Sequence, residues 1–350
     1  MRSRHTSPVL ASAATLAVAA MAAACIGSAT PVHAAMIASD SAANYEGSGG
    51  STNVWTNVGN TATFPTEPSA GTGFGAWAVS VQQSGNAPYN GSGLTTFDTS
   101  NPINTNGNYW YMYANNGSNG ASPTTPRADI YRAFNGNLSA NQAFSIALQT
   151  GSVGSYPAAG LPAFGFSLDN GAPSLSSSSV PVTVGNGSLT SANTYTDASA
   201  VFALSFNEIG NNSSSGNLTS YNGQSGSSLS SGSYALETNI MVDGTTTSTI
   251  AGITGAQLSS GITANFALGS GNSYTLTLDS VGATPSVLAK YTGTLNSSDV
   301  INGVDIFDQN TNTNGTFNSL AITATPEPAS IALLAVAAGG LLLTRRKKLL

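Results

Sequence analysis

A series of short apolar and aromatic runs, separated by clusters of Gly, Asn and Ser, constrains the fold more than any other feature of the sequence. Runs of this length between turn-forming residues are typical of β-strands. No helical periodicity longer than two turns precedes residue 325, and no fixed-period repeat is present. The predicted strands are 75–81, 109–113, 130–134, 143–148, 163–168, 180–184, 201–206, 233–242, 262–268, 273–278, 287–292, 304–307 and 317–322.

The side chains alternate within several of these runs. In residues 273–279, Tyr274, Leu276 and Leu278 share one face and threonines share the other. The run 201–206 likewise puts its larger side chains on one face. This is the pattern of antiparallel strands with one face in a core. We therefore predict an all-β fold, an antiparallel two-sheet sandwich of the jelly-roll kind.

Six of the nine basic residues lie at the two ends of the chain, before residue 35 or after residue 344. Between residues 35 and 325 there are three basic residues, Arg127, Arg132 and Lys290, against fourteen acidic ones, a net charge of −11. Such a chain repels phosphate backbones, so nucleic acid is excluded as a partner. Anionic polysaccharide is repelled too, unless a divalent cation bridges the two. Arg132 is expected to pair with a nearby carboxylate such as Asp129.

Residues 35–325 lack the side chains that most catalytic mechanisms require. The histidines, His5 and His33, precede residue 35, which excludes a serine triad and a histidine-ligated metal centre there. Laminarinase-like jelly rolls carry Glu-x-Asp-x-x-Glu, whereas the stretch from Glu208 to Asn211 lacks the later acids. The sequence predicts no catalytic residues and no enzyme. The rival hypothesis is a carbohydrate-active enzyme that uses two of the other acids.

Tyrosines alternate along one predicted strand. Tyr109, Tyr111 and Tyr113 share one face, and Trp110 and Met112 share the other. Aromatic faces stack on the C–H faces of sugar rings, so the three tyrosines are candidate glycan contacts. The alternative is that the aromatic strand serves only the core.

Residues 308–315 carry oxygen-bearing side chains at every second position, as calcium loops do. The EF-hand pattern fails, because Thr313 stands where Gly is needed and Ser319 where the bidentate Glu is needed. We therefore predict no metal ligands and no cofactor, and structural calcium stays an unsupported alternative.

Residues 1–34 have the features of a signal peptide. Arg2 and Arg4 form a basic start, an Ala-rich apolar run follows, and Ala34 ends a small-residue cleavage site. Export through the secretion machinery is expected, with Ala35 as the new first residue. The alternative is lipoprotein processing at Cys25. Cleavage after Ala34 removes the one cysteine of the chain, so the exported part would contain no disulfide.

The last 26 residues, 325–350, form a three-part tail. Pro326, Glu327 and Pro328 come first, and an uncharged apolar stretch over about 329–344 predicts a transmembrane helix in the inner membrane. The tail closes with a basic cluster that the positive-inside rule keeps in the cytoplasm. That cytoplasmic stop consists of Arg345, Arg346, Lys347 and Lys348.

This tail resembles the PEP-CTERM sorting signal of Gram-negative bacteria that make extracellular polysaccharide. The resemblance implies that an exosortase, an integral-membrane cysteine protease, removes the tail and delivers the protein to the cell surface or extracellular matrix. Thr325 stands where the family often has Val. The alternative is an ordinary tail anchor that is not cleaved.

A second resemblance concerns the region between the two ends. The runs 132–134, 143–146, 164–168, 304–307 and 317–320 are similar in spacing to exported proteins with concanavalin-like lectin sandwiches. We expect a flexible N-terminal arm over 35–73 and one β-sandwich domain over 74–324. The predicted function is a structural or adhesive component associated with extracellular polysaccharide, and the alternative is a carbohydrate-active enzyme or a glycan-binding lectin-like module.

Overall fold

A computed structural model describes residues 34–45, 66–67, 71–82, 89–94, 100–115, 127–150, 163–172, 199–210, 234–243, 245–250, 253–309 and 315–324. The residues from Met36 to Thr325 form one compact unit. Its strands are β1 (Ala35–Asp40), β2 (Thr66–Glu67), β3 (Phe74–Gln82), β4 (Tyr89–Leu94), β5 (Trp110–Asn115), β6 (Arg127–Phe134), β7 (Gln142–Thr150), β8 (Ala163–Asp169), β9 (Ala200–Gly210), β10 (Tyr234–Val242), β11 (Thr245–Ile250), β12 (Ile262–Leu268), β13 (Ser273–Ser280), β14 (Val287–Thr294), β15 (Gly303–Gln309) and β16 (Gly315–Ala324).

The strands form two eight-stranded sheets. Sheet A has the order β14-β13-β12-β7-β16-β5-β4, with β1 also paired to β16, and sheet B has the order β11-β10-β9-β8-β15-β6-β3-β2. The chain crosses between the sheets at β1–β2, β3–β4, β5–β6, β6–β7, β7–β8, β11–β12, β14–β15 and β15–β16. The predicted all-β, antiparallel two-sheet sandwich is confirmed. Of the predicted strands, 180–184 lies outside the described residues.

The main core lies between the two sheets and is rich in aromatic side chains. Phe202 lies 4.7 Å from Phe266, measured between ring centroids, and Phe266 stacks on Tyr274 at 5.3 Å. The alternation predicted for β13 is confirmed, because Tyr274, Leu276 and Leu278 are all buried in this core. Helix is confined to short pieces in the described residues, such as α1 (Gly255–Ser259), which Thr254 caps.

The sequence does not predict the N-terminal part of the sandwich. Residues 35–45 belong to the region expected to be a flexible arm, but Ala35–Asp40 forms β1 and a 3-10 turn follows over Ala42–Tyr45. Ala38, Asp40, Ala42 and Tyr45 are buried. The expectation was wrong for these residues because contacts with distant strands hold the segment, which carries no alternating strand pattern of its own.

One of those contacts is a buried ion pair between the first strand and β6. Arg132 donates through Nη1 to Asp40 and, through Nε, to the carbonyl of Gly75 at 3.0 Å. Asp40 also accepts from the hydroxyl of Tyr45 at 2.6 Å. Both charged side chains are fully buried, and the guanidinium carbon lies 4.4 Å from the ring centroid of Trp77.

The expected pairing of Arg132 with Asp129 is therefore wrong. Residues three apart on a strand point to opposite faces of the sheet. Arg132 faces the main core, directly opposite Trp77 on β3, while Asp129 lies on the other face beside Phe307. The carboxylate that pairs with Arg132 comes instead from a strand that is distant in sequence.

Candidate functional site

The predicted tyrosine strand is β5, and its two faces differ as expected. Trp110 and Met112 are completely buried, whereas Tyr109 and Tyr111 are half-buried on the opposite face. The side chain of Tyr113 lies outside the described part of the chain. Trp110 stacks on Phe317 at 5.4 Å between ring centroids, which fixes the strand from the core side. The two described tyrosines therefore stand on a rigidly supported strand.

Polar side chains continue the row that begins at Tyr111. Tyr111 is paired with Thr316 on β16, and Thr316 is paired with Gln149 on β7. Paired residues share a face, and neighbouring strands lie about 4.8 Å apart. The row therefore places a half-buried aromatic ring and a half-buried amide on the outer face of sheet A, with the buried hydroxyl of Thr316 between them. The sequence alone indicates only the tyrosines as candidate contacts, because the pairing of these strands spans most of the sequence.

Hydrogen bonds fix the polar part of this row. The hydroxyl of Thr316 lies 2.6 Å from the amide oxygen of Gln149, and Asn101 donates to the same oxygen at 3.2 Å. Gln149 donates to the carbonyl of Ser259 at 3.3 Å. We call Tyr109, Tyr111, Thr316, Gln149 and Asn101 the tyrosine–amide face. Its members are uncharged at neutral pH.

A second polar cluster lies on the face of sheet B that points away from the main core. Asp305 on β15 is paired with Tyr131 on β6 and with Ser167 on β8. Asp169 and Asp129 lie on the same two neighbouring strands, each displaced by two residues from the level of Asp305. We call Asp129, Asp169, Asp305 and Tyr131 the acid row.

Glycines make room for the aromatic rings of this face. A Cβ on Gly303 would lie 2.5 Å from the Tyr131 hydroxyl oxygen, so the Tyr131 ring lies across Gly303. In the same way, a Cβ on Gly165 would lie 3.0 Å from Cζ of Phe307. Phe307 packs with Ala203 and Met241 in a small second apolar cluster. The acid row is thus embedded in a packed layer.

The acid row changes the acidity of its tyrosine. Burial, together with the negative charges of Asp169 and then Asp305, raises the pKa of Tyr131 to about 12. Tyr131 therefore keeps its proton to a higher pH than an ordinary tyrosine does. Diagonal neighbours on adjacent strands lie about 7–8 Å apart. Glycosidases likewise use two neighbouring carboxyl groups, which lie roughly 5–9.5 Å apart.

Metal binding finds no support among the described side chains. No group of three or more His, Cys, Asp or Glu residues there is close enough to hold a metal ion. Asp308, the first residue of the stretch tested for calcium, is buried, and its Oδ2 would lie 3.1 Å from a Cβ on Gly315. Residues 310–314 of that stretch lie outside the description, as does the side chain of Glu208.

The two predicted sorting elements also fall largely outside the described residues. Pro326, Glu327, Pro328, the helix expected over 329–344 and the basic end at 345–348 all lie there, as do residues 1–33. Within the described ranges, no helix has both the length and the apolar composition of a membrane span.

Comparison with known proteins gives distant structural likeness only. No family model matches the chain, and no curated protein matches it. The VIP36 exoplasmic/lumenal domain, in its Ca²⁺/Man3GlcNAc-bound form, matches at a TM-score of 0.35 and 10% identity, covering 67% of this chain and 84% of that one. A lectin from Bauhinia forficata in complex with GalNAc matches at 0.35 and 11%, covering 75% and 98%.

An enzyme is among the matches as well. Alginate lyase vAL-1 from Chlorella virus matches at a TM-score of 0.33 and 13% identity, covering 71% of this chain and 93% of that one. All three TM-scores are below 0.5, so no residue role or activity is taken from these proteins. The two-sheet sandwich rests on the strand pairing itself.

Proposed function

We propose that this chain is an exported glycan-binding protein and that the tyrosine–amide face is its binding site. One observation carries the proposal: Tyr111 lies half-buried beside Thr316 and Gln149, in one row across three neighbouring strands. A ring face offers stacking to the C–H face of a sugar, and the half-buried amide of Gln149, held in place by buried Thr316, offers hydrogen bonding beside it.

The charge of the protein favours a neutral polysaccharide as the ligand. The tyrosine–amide face is uncharged, and residues 35–325 carry a net charge of −11. A polymer of uronic acids would be repelled by this excess of negative charge. Binding without catalysis agrees with the absence of histidine from this part of the sequence.

The experiment that tests this proposal compares Tyr111→Ala with Tyr111→Phe in the chain from Ala35 to Thr325. Affinity electrophoresis against a panel of neutral polysaccharides measures binding. We expect Tyr111→Ala and Gln149→Ala to weaken binding at least tenfold, and Tyr111→Phe to retain it because the ring is kept. Thr277→Ala, on the same sheet face at β13, is the control. Equal loss at Thr277, or no loss at Tyr111, contradicts the proposal.

A second candidate function is glycoside hydrolysis at the acid row. The placement of Asp129, Asp305 and Asp169 on three adjacent strands favours it, whereas the complete burial of all three side chains opposes it, because hydrolysis requires water at the bond. Assays for new reducing ends distinguish the two functions. Cleavage that Asp305→Asn abolishes, with unchanged binding in the tyrosine variants, would make this chain an enzyme.

The proposed location is the cell surface or extracellular matrix, reached by export and by removal of the C-terminal tail. This rests on the sequence of the two ends, including Pro326-Glu327-Pro328 and the basic cluster at 345–348. The intact mass of the protein recovered from the cell envelope and the medium tests it. A mass that starts at Ala35 and lacks the residues after Pro328 supports sorting by an exosortase-like protease. A mass that retains Leu350 means an uncleaved anchor.

A further inference from the structure

The N-terminal segment, residues 35–45, is held by a receiving site built from distant parts of the chain. Asp40 pairs with Arg132 of β6, and Asn318 of β16 accepts from the backbone nitrogen of Ala42 at 3.0 Å. Asn318 also donates to the carbonyl of Ile103 at 2.9 Å. These buried polar groups of the receiving site thus have partners within the segment itself.

Glycines shape the receiving site around this segment. A Cβ on Gly71 would lie 2.5 Å from Cβ of Asp40, and a Cβ on Gly73 would lie 2.5 Å from Cβ of Ala38. Gly73 has a φ of +75°, which side chains rarely adopt. The receiving site therefore fits this segment closely. Without the segment, Arg132 and Asn318 would lose their partners Asp40 and Ala42.

A long stretch of small and polar residues connects the segment to the rest of the sandwich. Twenty residues, 46–65, separate Tyr45 from β2, and Gly, Ser, Thr and Asn dominate their sequence. Twenty residues reach about 70 Å at full extension. That length suffices for the segment of one molecule to occupy the receiving site of another.

We propose that the N-terminal segment is exchanged between copies of this chain, so that Asp40 of one molecule pairs with Arg132 of the next. Exchange preserves every contact of the segment and requires no new interface, which makes it a low-cost route to oligomers. A segment tethered to its own site competes at an effective concentration in the millimolar range. Dilute protein therefore closes on itself, and exchanged oligomers form when folding occurs at about 1 mM or above.

Ser39 and Thr72 provide a direct way to detect the exchange. Their backbones form a bridge with N–O distances of 3.0 and 2.9 Å, and their hydroxyl oxygens lie 3.5 Å apart. Residues paired in this way have a separation that a disulfide spans. The chain from Ala35 to Thr325 contains no cysteine, so introduced thiols react only with each other.

The experiment mixes two differently tagged chains, Ser39→Cys and Thr72→Cys, refolds them together at about 1 mM and oxidises them. We expect a disulfide-linked heterodimer that contains one chain of each kind. Ser39→Cys mixed with Thr292→Cys, an exposed position on β14, is the matched control and measures random pairing. The double variant Ser39→Cys/Thr72→Cys, folded when dilute, should form the bond within one molecule.

The proposal is overturned if the double variant forms its internal bond while the mixture yields no more heterodimer than the control. Light scattering of the wild-type chain refolded at the same concentration is the second measurement, for the case in which the double variant does not oxidise. Oligomers whose fraction rises with the refolding concentration support exchange. Monomers at every concentration overturn it.

Discussion

The two faces of β6 hold buried charge in opposite ways. On the core face, Arg132 is paired with Asp40 and covered by Trp77. On the other face, Tyr131 shares its side of the sheet with Asp129, Asp169 and Asp305, and burial together with the charges of Asp169 and Asp305 raises its pKa. The first arrangement joins two distant strands through opposite charges, and the second gathers like charges around a tyrosine that keeps its proton. Burial alone therefore does not show whether a carboxylate is paired with a cation or lies beside other carboxylates.

Breaking the ion pair should have the largest effect on stability. Arg132→Met or Asp40→Ala alone leaves an uncompensated buried charge, which costs about 3–5 kcal/mol. Urea denaturation of each variant measures the loss in the free energy of unfolding. The double variant Asp40→Leu/Arg132→Met should recover most of that loss, and Lys290→Ala, on exposed β14, should change the free energy by less than about 0.5 kcal/mol. Single variants as stable as the wild type would mean that the pair is not formed.

Alkaline pH should weaken the other face of β6. Because the fold raises the pKa of Tyr131 from 10.0 to about 12, its contribution is fully present below pH 10 and is lost as the pH rises through 12. Two pKa units correspond to at most about 2.7 kcal/mol. Urea midpoints measured between pH 9 and pH 12 should fall more steeply for the wild type than for Tyr131→Phe. If the urea midpoints of the wild type and Tyr131→Phe fall equally with pH, the fold does not raise the pKa of Tyr131.

Crowding of the Tyr131 ring should lower the free energy of unfolding by about as much as alkaline pH does, or by less. Gly303→Ala forces a Cβ against Tyr131, and overpacking of this kind costs about 1–3 kcal/mol. Thermal unfolding measures it. Gly136→Ala is the matched control, since a Cβ there has nothing within 4 Å. If both substitutions behave alike, the ring does not lie across Gly303.

The smallest effect concerns the acidity of Tyr131 itself. Asp169→Asn and Asp305→Asn each remove one negative charge and should both lower its pKa, with the larger change for Asp169, whose charge has the larger influence. Ultraviolet titration, taken as the difference from Tyr131→Phe in each background, isolates this one tyrosine. A larger decrease for Asp305→Asn would mean that the charge of Asp305 has the larger influence on the pKa of Tyr131.

The sequence predicts the sandwich well where strands alternate strongly. Strands such as β13 carry large apolar residues at every second position, and this local pattern survives in the fold. The segment Ala35–Asp40 has no such pattern, because its place depends on Arg132 and Asn318. The short strands β2, β4 and β11 were missed for a similar reason, being rich in Gly, Ser or Thr or only two residues long.

The candidate sites show the same limit. The tyrosines of β5 could be chosen from alternation alone, but their polar neighbours could not, since Thr316 and Gln149 are brought beside Tyr111 by pairing across most of the chain. The acid row was missed altogether. It exists only because β15 lies between β6 and β8, although β15 follows both by more than 130 residues in sequence. Alternation within one strand shows which of its side chains share a face. The order of the strands in the sheet decides which side chains of different strands become neighbours.

The pairing of β1 with β16 makes this sandwich suitable for circular permutation. The first and last strands are hydrogen-bonded neighbours, so a linker from Ala324 to Ala35, long enough to join these two strands, would close the chain into a ring. Such a ring could be reopened at the exposed turn between β13 and β14, next to Gly282. A permuted chain of this kind would keep both sheets and fix residues 35–45 at both ends, so its segment could no longer leave its own molecule.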